Sequence, residues 1–525
     1  MKRRTFLGGL SGGLGTLGLG ALGASALGAS LRTGALPSAL RAFGPSKAGA
    51  QPPDDGGTLF LEICLRDQWD QMHVFVPPGI ASFGRVHRGE TGDGLTFFAQ
   101  PDELRMTPTS TGNVFLTADS YELAPFVDSV AQIDFGEPTA GDIHGHEAAN
   151  PIRTPGRRRE RLPGYMSLFE NDPASSSSGN MEDYGTVPTP ACVHNHWSKS
   201  LDPSLRNGIA FKGISRSNQT VYHFAAGLPG GELDRVRSRG ELFDLFPPFV
   251  DDPSLVRSAG EANAIQRALG RLDDRFLARR RIQARVRDDH QRQIDELRQQ
   301  LHVAEPRVVS LPLTEEERAY WGSGVPSQTC TRNDLESFEC GEGQVKAQIW
   351  EQVAYAYKLL SAGLTRTVAL EFDYMDLHTY RPQSAVRTQA QQLAKPLARL
   401  IARLQEDGLY ERTVIAVYTA DGSRAPHANS YGHDGKNTLI LAGGRIRGGY
   451  YGDIRLTDEG SRNGVTYHPP GEDGAPLSEG FRGTNGRLSS ARLWRTVIEA
   501  ARIPSDVVEG FAEVQSATPY GFVLR

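Results

Sequence analysis

The sequence predicts an α/β protein: a mostly parallel β-sheet with helices on both faces, plus a helical insertion. Two observations carry this. From residue 344 onward, apolar strand-like runs alternate with helix-length segments. Strands joined through helices pair in parallel and have both faces covered. The chain also has 525 residues, enough for one large α/β domain with insertions or for two domains.

The elements follow in order. T-L-F-L-E-I-C (58–64) is a first strand directly after the linker P-P-D-D-G-G, and it ends at the polar run L-R-D-Q-W-D. Residues 137–205 are rich in loop formers, including the serine run 175–178, and read as surface loops. Residues 257–303 are dense in Arg, Asp, Glu and Gln, with Leu, Ile and Phe at helical spacing. They read as a helix-rich insertion whose charges solvate an outer face. Residues 344–361 form a helix ended by Gly363, and 367–372 a strand. Leu393, Leu397, Leu400, Ile401 and Leu404 mark one face of a helix that stops at Gly408. Residues 413–418 and 438–442 are further strands, and 490–503 is a closing helix.

The N-terminus reads as an export signal. Arg3 and Arg4 open R-R-T-F-L, which matches the twin-arginine pattern R-R-x-F-L. A weakly apolar Gly/Ala/Leu stretch and an A-G-A cleavage pattern at 48–50 follow. Residues 1–50 are therefore expected to be a signal for the twin-arginine translocase, and 51–525 the mature α/β domain, periplasmic or extracellular. The other reading is a basic N-terminus on an uncleaved anchor. No later apolar run is long enough to span a bilayer. A formal net charge of −5 gives no footprint for nucleic acid. Of four cysteines, none forms C-x-x-C. Cys330 and Cys340 flank a short loop and could close a disulfide in an oxidising compartment, or stay as two thiols.

Three strands lead into acidic and histidine-bearing clusters. Strand 58–64 leads to Asp67, Asp70 and His73. Strand 367–372 leads to Asp373, Asp376 and His378. Strand 413–418 leads to Asp421, His427, His433 and Asp434. Parallel strands share a carboxyl edge, where ligands bind in open α/β sheets. Convergence there would make a divalent-metal floor, with imidazole plus carboxylate suiting Zn or Mn and carboxylate alone Mg or Ca. The plainer reading is that Asp and His cap helices and solvate loops after strands. His144 and His146, in D-I-H-G-H-E, form a second cluster. His194 and His196, in C-V-H-N-H-W, repeat the spacing, but Cys192 and Trp197 mark that segment as a packed loop.

Several segments resemble a family of twin-arginine-exported bacterial proteins, catalogued as a domain of unknown function and related to sulfatases and alkaline phosphatases. L-R-D-Q-W-D-Q-M-H-V-F-V-P resembles its L-R-G-G-x-D-x-x-x-x-V-V-P opening. D-I-H-G-H-E-A-A-N resembles S-H-F-x-A-x-x, and F-D-Y-M-D-L-H-T resembles G-F-D-T-H. V-Y-T-A-D-G-S-R resembles S-E-F-G-R after a strand, or T-x-D-H-G with Gly422 in place of the histidine. G-H-D-G-K-N-T-L-I-L-A-G-G-R-I-R-G-G-Y-Y-G resembles G-x-D-H-G…L-L-x-G-G-x-I-K-G-G-x-x-G and is the most specific. The resemblance implies an alkaline-phosphatase-like fold, with Asp70, Asp376, His378, Asp421 and His433 at metal-ligand positions. It also departs from the family. Ile143 stands where the family has Ser, Asp-His is inverted to His433-Asp434, and the Glu of S-E-F-G-R is absent. No C-x-P-x-R motif occurs, and Thr139 is only a nearby hydroxyl. Two functions follow: a metal-dependent hydrolase of phosphate or sulfate esters, or a non-catalytic metal-binding or surface assembly protein of the same fold.

Overall fold

The structure is a computed structural model. It describes residues 57–68, 73–81, 103–136, 189–203, 205–211, 228, 230–236, 239–246, 311–326, 349–372, 383–420, 436–456, 465–478, 490–509 and 517–525. All of them belong to one compact unit, Gly49–Arg525. The expected signal at 1–50 and insertion near 257–303 lie outside the described residues.

The centre is an eight-stranded sheet. Its strands are β1 (Leu59–Gln68), β5 (Val130–Gly136), β6 (Ile209–Phe211), β7 (Asp234–Val236), β8 (Thr367–Phe372), β9 (Thr413–Ala420), β10 (Lys436–Gly443) and β11 (Gly449–Tyr451). Their order is β11-β5-β10-β9-β1-β8-β6-β7. β1 pairs in parallel with β8 on one side and β9 on the other, and β6 and β7 extend the parallel run. β10 is antiparallel to both β9 and β5. It runs against the other described strands of a mostly parallel sheet. A three-stranded sheet, β2 (Phe75–Val76), β4 (Gly112–Leu116) and β3 (Arg105–Thr109), and the hairpin β12 (Asp453–Leu456) with β13 (Val465–His468) complete the strands.

Both faces of the sheet are buried, as a helix-covered parallel sheet requires. On β1, Leu59, Leu61, Ile63 and Leu65 enter one core and Phe60 the other, following the two-residue period of a strand. Val368 and Leu370 of β8 and Ile415 and Val417 of β9 join the first core; Ala369, Val414 and Ala416 join the second. Helices α3 (Ile349–Ser361) and α4 (Gln383–Glu406) cover the first face. Helices α1 (Pro190–Leu201) and α5 (Ser490–Ala500) cover the second. Helix α2 (Glu315–Gly322) packs on α3 and starts with a capping box between Thr314 and Glu317. Full burial of each Leu, Ile, Val or Phe stabilises by roughly 1.5–3 kcal/mol, so the α/β/α sandwich is held mainly by these two cores.

The stops read from glycine are Schellman caps. At α3, Gly363 (φ 65°) donates to the Leu360 carbonyl and Leu364 to Leu359. At α4, Gly408 (φ 70°) donates to Gln405 and Leu409 to Leu404. In each case the leucine after the glycine packs back on the helix's last apolar turn, the usual companion of this motif. All five leucine and isoleucine positions predicted for α4 are buried.

Residues 137–205 are not wholly loop. Pro190–Leu201 forms α1, capped by Thr189, whose hydroxyl accepts from Cys192 N at 3.2 Å, with Pro190 in the first turn. Loop-forming composition concealed an N-cap followed by Pro, the arrangement that starts a helix. Glu62 of β1 secures the same turn by accepting from Ala191 N at 3.2 Å.

At the amino edge of the sheet, the chain between β10 and β11 packs backbone on backbone. Gly448 donates to Asp128 O at 2.8 Å and accepts from the Thr111 hydroxyl at 2.8 Å. A Cβ at Gly448 would collide with the Val127 carbonyl oxygen, so only glycine allows this approach. Gly443, Gly444, Gly448 and Gly449 of L-A-G-G-R-I-R-G-G-Y-Y-G thus serve packing at the edge opposite the strand exits, while Gly452 packs beside Asp134. No helix among the described residues is long and apolar enough to cross a membrane.

Candidate functional site

The three strands expected to lead into the acidic clusters are neighbours in the order β9-β1-β8. They also end together. Leu65 is level with Phe372 at the end of β8, and Gln68 is level with Ala420 at the end of β9. β10 opens at this same edge, where Lys436 faces Gly136, the last residue of β5. The segments holding Asp70, Asp376, His378, Asp421 and His433 therefore all leave or enter the sheet at one carboxyl edge, as does the segment from β5 toward His144 and His146. Those seven side chains lie outside the described residues, as do Arg3, Arg4, Thr139, Cys330 and Cys340. Among the described residues, no group of three or more His, Cys, Asp or Glu side chains could hold a metal.

Two polar groups on this side of the sheet are described. The first is built on Asp119, in the turn after β4. Its side chain is 4% exposed. His73, five residues beyond β1, places Nε2 3.2 Å from Asp119 Oδ2. Arg387, in the second turn of α4, donates from Nε to Oδ2 at 2.8 Å and from Nη2 to Oδ1 at 3.2 Å. This two-point fork fits guanidinium to carboxylate. Gln391, one turn on, donates to Oδ1 at 2.5 Å. Thr117 and Ser120 donate to the carbonyls of His73 and Val74 at 2.8 and 2.6 Å, tying the Asp119 turn to the chain leaving β1. Burial alone would raise the Asp119 pKa, but the hydrogen bonds from His73, Arg387 and Gln391 outweigh it and hold the carboxyl down to about 2. An ionised carboxylate only accepts, so His73 Nε2 carries a proton and donates it to Asp119.

The second group centres on Asp134 of β5. It accepts from the Tyr450 hydroxyl at 3.1 Å. Burial, with the nearby Asp453 carboxylate in support, raises its pKa well above the ordinary value, the opposite direction to Asp119. Asp453 accepts from Gly79 N at 2.7 Å and from Arg455 at 2.8 Å, which ties the hairpin to the turn after β2.

A family model matches part of the chain. Residues 251–468 match a family model described as a protein of unknown function, DUF1501. That stretch includes α3, β8, α4, β9 and β10, and the segments holding Asp376, His378, Asp421 and His433. The segments holding Asp70, His144 and His146 fall outside it. No curated protein matches. Among solved structures, Ps i-CgsB is similar at 9% identity and a TM-score of 0.34, over 89% of this chain and 76% of that one. A phosphonate monoester hydrolase from Silicibacter pomeroyi is similar at 12% identity and a TM-score of 0.31, over 89% and 76%. The lipoteichoic acid synthase LtaP from Listeria monocytogenes is similar at 8% identity and a TM-score of 0.28, over 91% and 97%. Likenesses of this strength fix neither chemistry nor substrate.

His194 is not part of a site. It lies in α1, fully buried, with Nδ1 2.7 Å from the Thr367 hydroxyl and its ring stacked on Phe60 at 5.3 Å. Burial drops its pKa to about 3, so it is a neutral core residue. His196 is two positions on, and that spacing points opposite ways on a helix; the pair cannot share an ion as an extended His-x-His could. Sequence reading missed Asp119, whose partners lie 46 and 268 residues away. It also missed Asp134, although a carboxylate inside the apolar strand V-A-Q-I-D-F was a visible signal.

Proposed function

We propose that this chain is an exported, metal-dependent hydrolase of phosphate or sulfate esters, with its site at the carboxyl edge of β9-β1-β8. One observation supports this most: three adjacent parallel strands end in register, and each leads into a segment bearing the predicted ligands. Asp70, Asp376, His378, Asp421 and His433 would hold the ion, with His144 and His146 as a second cluster. Three carboxylates and two imidazoles suit Zn or Mn, and the carboxylates alone Mg or Ca. A bound divalent cation would polarise the ester oxygen and stabilise the charge on the leaving oxygen. Export rests on Arg3 and Arg4, recognised by the twin-arginine translocase, and delivers the domain to the periplasm or beyond.

Ile143 in place of a serine supports a second reading, a non-catalytic metal-binding or surface assembly protein. A hydrolase of this kind needs an activated nucleophile beside the metal. Assay of phosphate and sulfate monoesters with metal-loaded full chain separates the two. Turnover that disappears in Asp376→Ala supports the hydrolase. Metal binding with no turnover of either ester class supports the second reading.

A further inference from the structure

A cleft of about 750 Å³ opens at the amino edge of the sheet, lined by Pro108, Thr109, Ser110, Asp128, Arg447 and Arg525. The local backbone presents two guanidiniums to it. Ile446 is buried and bridges to Leu524, while Arg447 is exposed. Arg447 N donates to Val523 O at 2.8 Å, and its carbonyl accepts from the Tyr451 hydroxyl at 2.8 Å. Arg525 N donates to Arg445 O at 2.8 Å, and its Nη2 donates to the Asp128 carbonyl. Arg387, Arg403 and Arg492 elsewhere each pair with a carboxylate. Among the described residues, Arg447 and Arg525 join no ion pair, either with Asp128 or with the α-carboxylate of Arg525. The two charges also lie near one hydroxyl: burial raises the Tyr451 pKa, and the fields of Arg447 and Arg525 both oppose it.

The lining sorts the ligand. A guanidinium fork matches two oxygens of a phosphate or sulfate group. The exposed Ser110 hydroxyl adds a donor, whereas the Thr109 hydroxyl already donates to Gly112 O at 2.7 Å. Pro108 is the one apolar residue in the lining, and no aromatic ring is present, so nothing there stacks a nucleobase or seats a lipid chain. The volume is too large for a bare oxyanion and lies in the small-ligand range of roughly 300–1,000 Å³. We propose that this cleft binds a phosphorylated or sulfated sugar, gripping its anionic group through Arg447 and Arg525, with the Asp128 carboxylate limiting the affinity. The cleft lies at the opposite edge from the ester-hydrolase site proposed above, and it does not rest on that reading.

The test titrates the full chain calorimetrically, at fixed ionic strength, with glucose 6-phosphate, glucose 6-sulfate and glucose. Wild type is expected to bind at least one of the two esters and not to bind glucose. Arg447→Ala and Arg525→Ala should each weaken ester binding about tenfold or more, the loss of a charge-assisted hydrogen bond. Arg447→Ala keeps both backbone bonds at that residue, so it covers the case in which Arg525→Ala does not fold. Asp128→Asn keeps an acceptor for Ser110 N, which donates to Oδ1 at 3.4 Å, and removes the repelling charge. It should tighten ester binding by roughly two- to fivefold. Glucose bound as tightly as its esters, no binding of either ester by wild type, or weaker binding in Asp128→Asn would overturn the proposal. So would wild-type ester affinity in Arg447→Ala, the result expected of an ester held at the carboxyl edge instead, which would leave the hydrolase reading standing.

Discussion

The two edges of the central sheet are built on different physics. The amino edge is backbone packing: Gly448 sits against Val127 and Asp128, and Arg447 N donates to Val523 O at 2.8 Å. The carboxyl edge carries two buried carboxyl groups shifted in opposite directions, Asp119 held down by its hydrogen bonds and Asp134 pushed up by burial. The segment L-A-G-G-R-I-R-G-G-Y-Y-G, inside the stretch that the DUF1501 model matches, belongs mainly to the first edge. That motif therefore marks the frame, while the segments proposed to hold the site leave the other end of the strands.

The contrast can be broken by substitution. The largest effect is expected from Gly448→Ala, because the added methyl meets fixed backbone and no side chain can move aside. It should destabilise the chain by at least about 4 kcal/mol, the range of severe core defects, read as a collapse of the thermal midpoint. A near-native midpoint would mean that the amino edge yields more than its packing implies.

A smaller effect is expected at Asp119. Its folded pKa lies below the ordinary value of 3.8, at about 2. Stability from this group is therefore fully present above the unfolded pKa and is lost as pH falls through the folded one. The shift corresponds to about 2 kcal/mol. Stability measured in denaturant should fall between about pH 4 and pH 2 in the wild type, and this part of the fall should be missing in Asp119→Asn. Equal acid limbs in both proteins would contradict the assigned network.

Asp134 sharpens the comparison by sign. Its folded pKa is raised, so its contribution is favourable below the unfolded value of 3.8 and declines as pH rises above it. Asp134→Asn, which keeps an acceptor for the Tyr450 hydroxyl, should raise the thermal midpoint relative to wild type at pH 8. The gain should vanish near pH 4. A variant less stable than wild type at pH 8 would show that the carboxyl itself is needed there.

These two aspartates also show what the sequence could and could not reveal. The strands at 58–64, 367–372 and 413–418, the stops at Gly363 and Gly408, and the apolar stripe of α4 were legible because each follows from local period or backbone freedom. Their gathering at one edge was legible too, since parallel strands share a carboxyl end. α1 was concealed by a loop-like composition in which Thr189-Pro190 was the only start signal. β5, β6 and β11 are short or carry internal polar residues, and their place was decided by pairing with distant strands. The Asp119 network has no sequence signature, because His73 and Arg387 meet it only after β1 and β8 have paired.

The most direct test of the central claim is metal content. Full chain purified after export, as wild type and as His378→Ala with His433→Ala, is analysed for bound Zn, Mn, Ca and Mg. The account predicts a stoichiometric divalent ion in the wild type and its loss in the double variant. Stoichiometric metal in both proteins, or in neither, would contradict it.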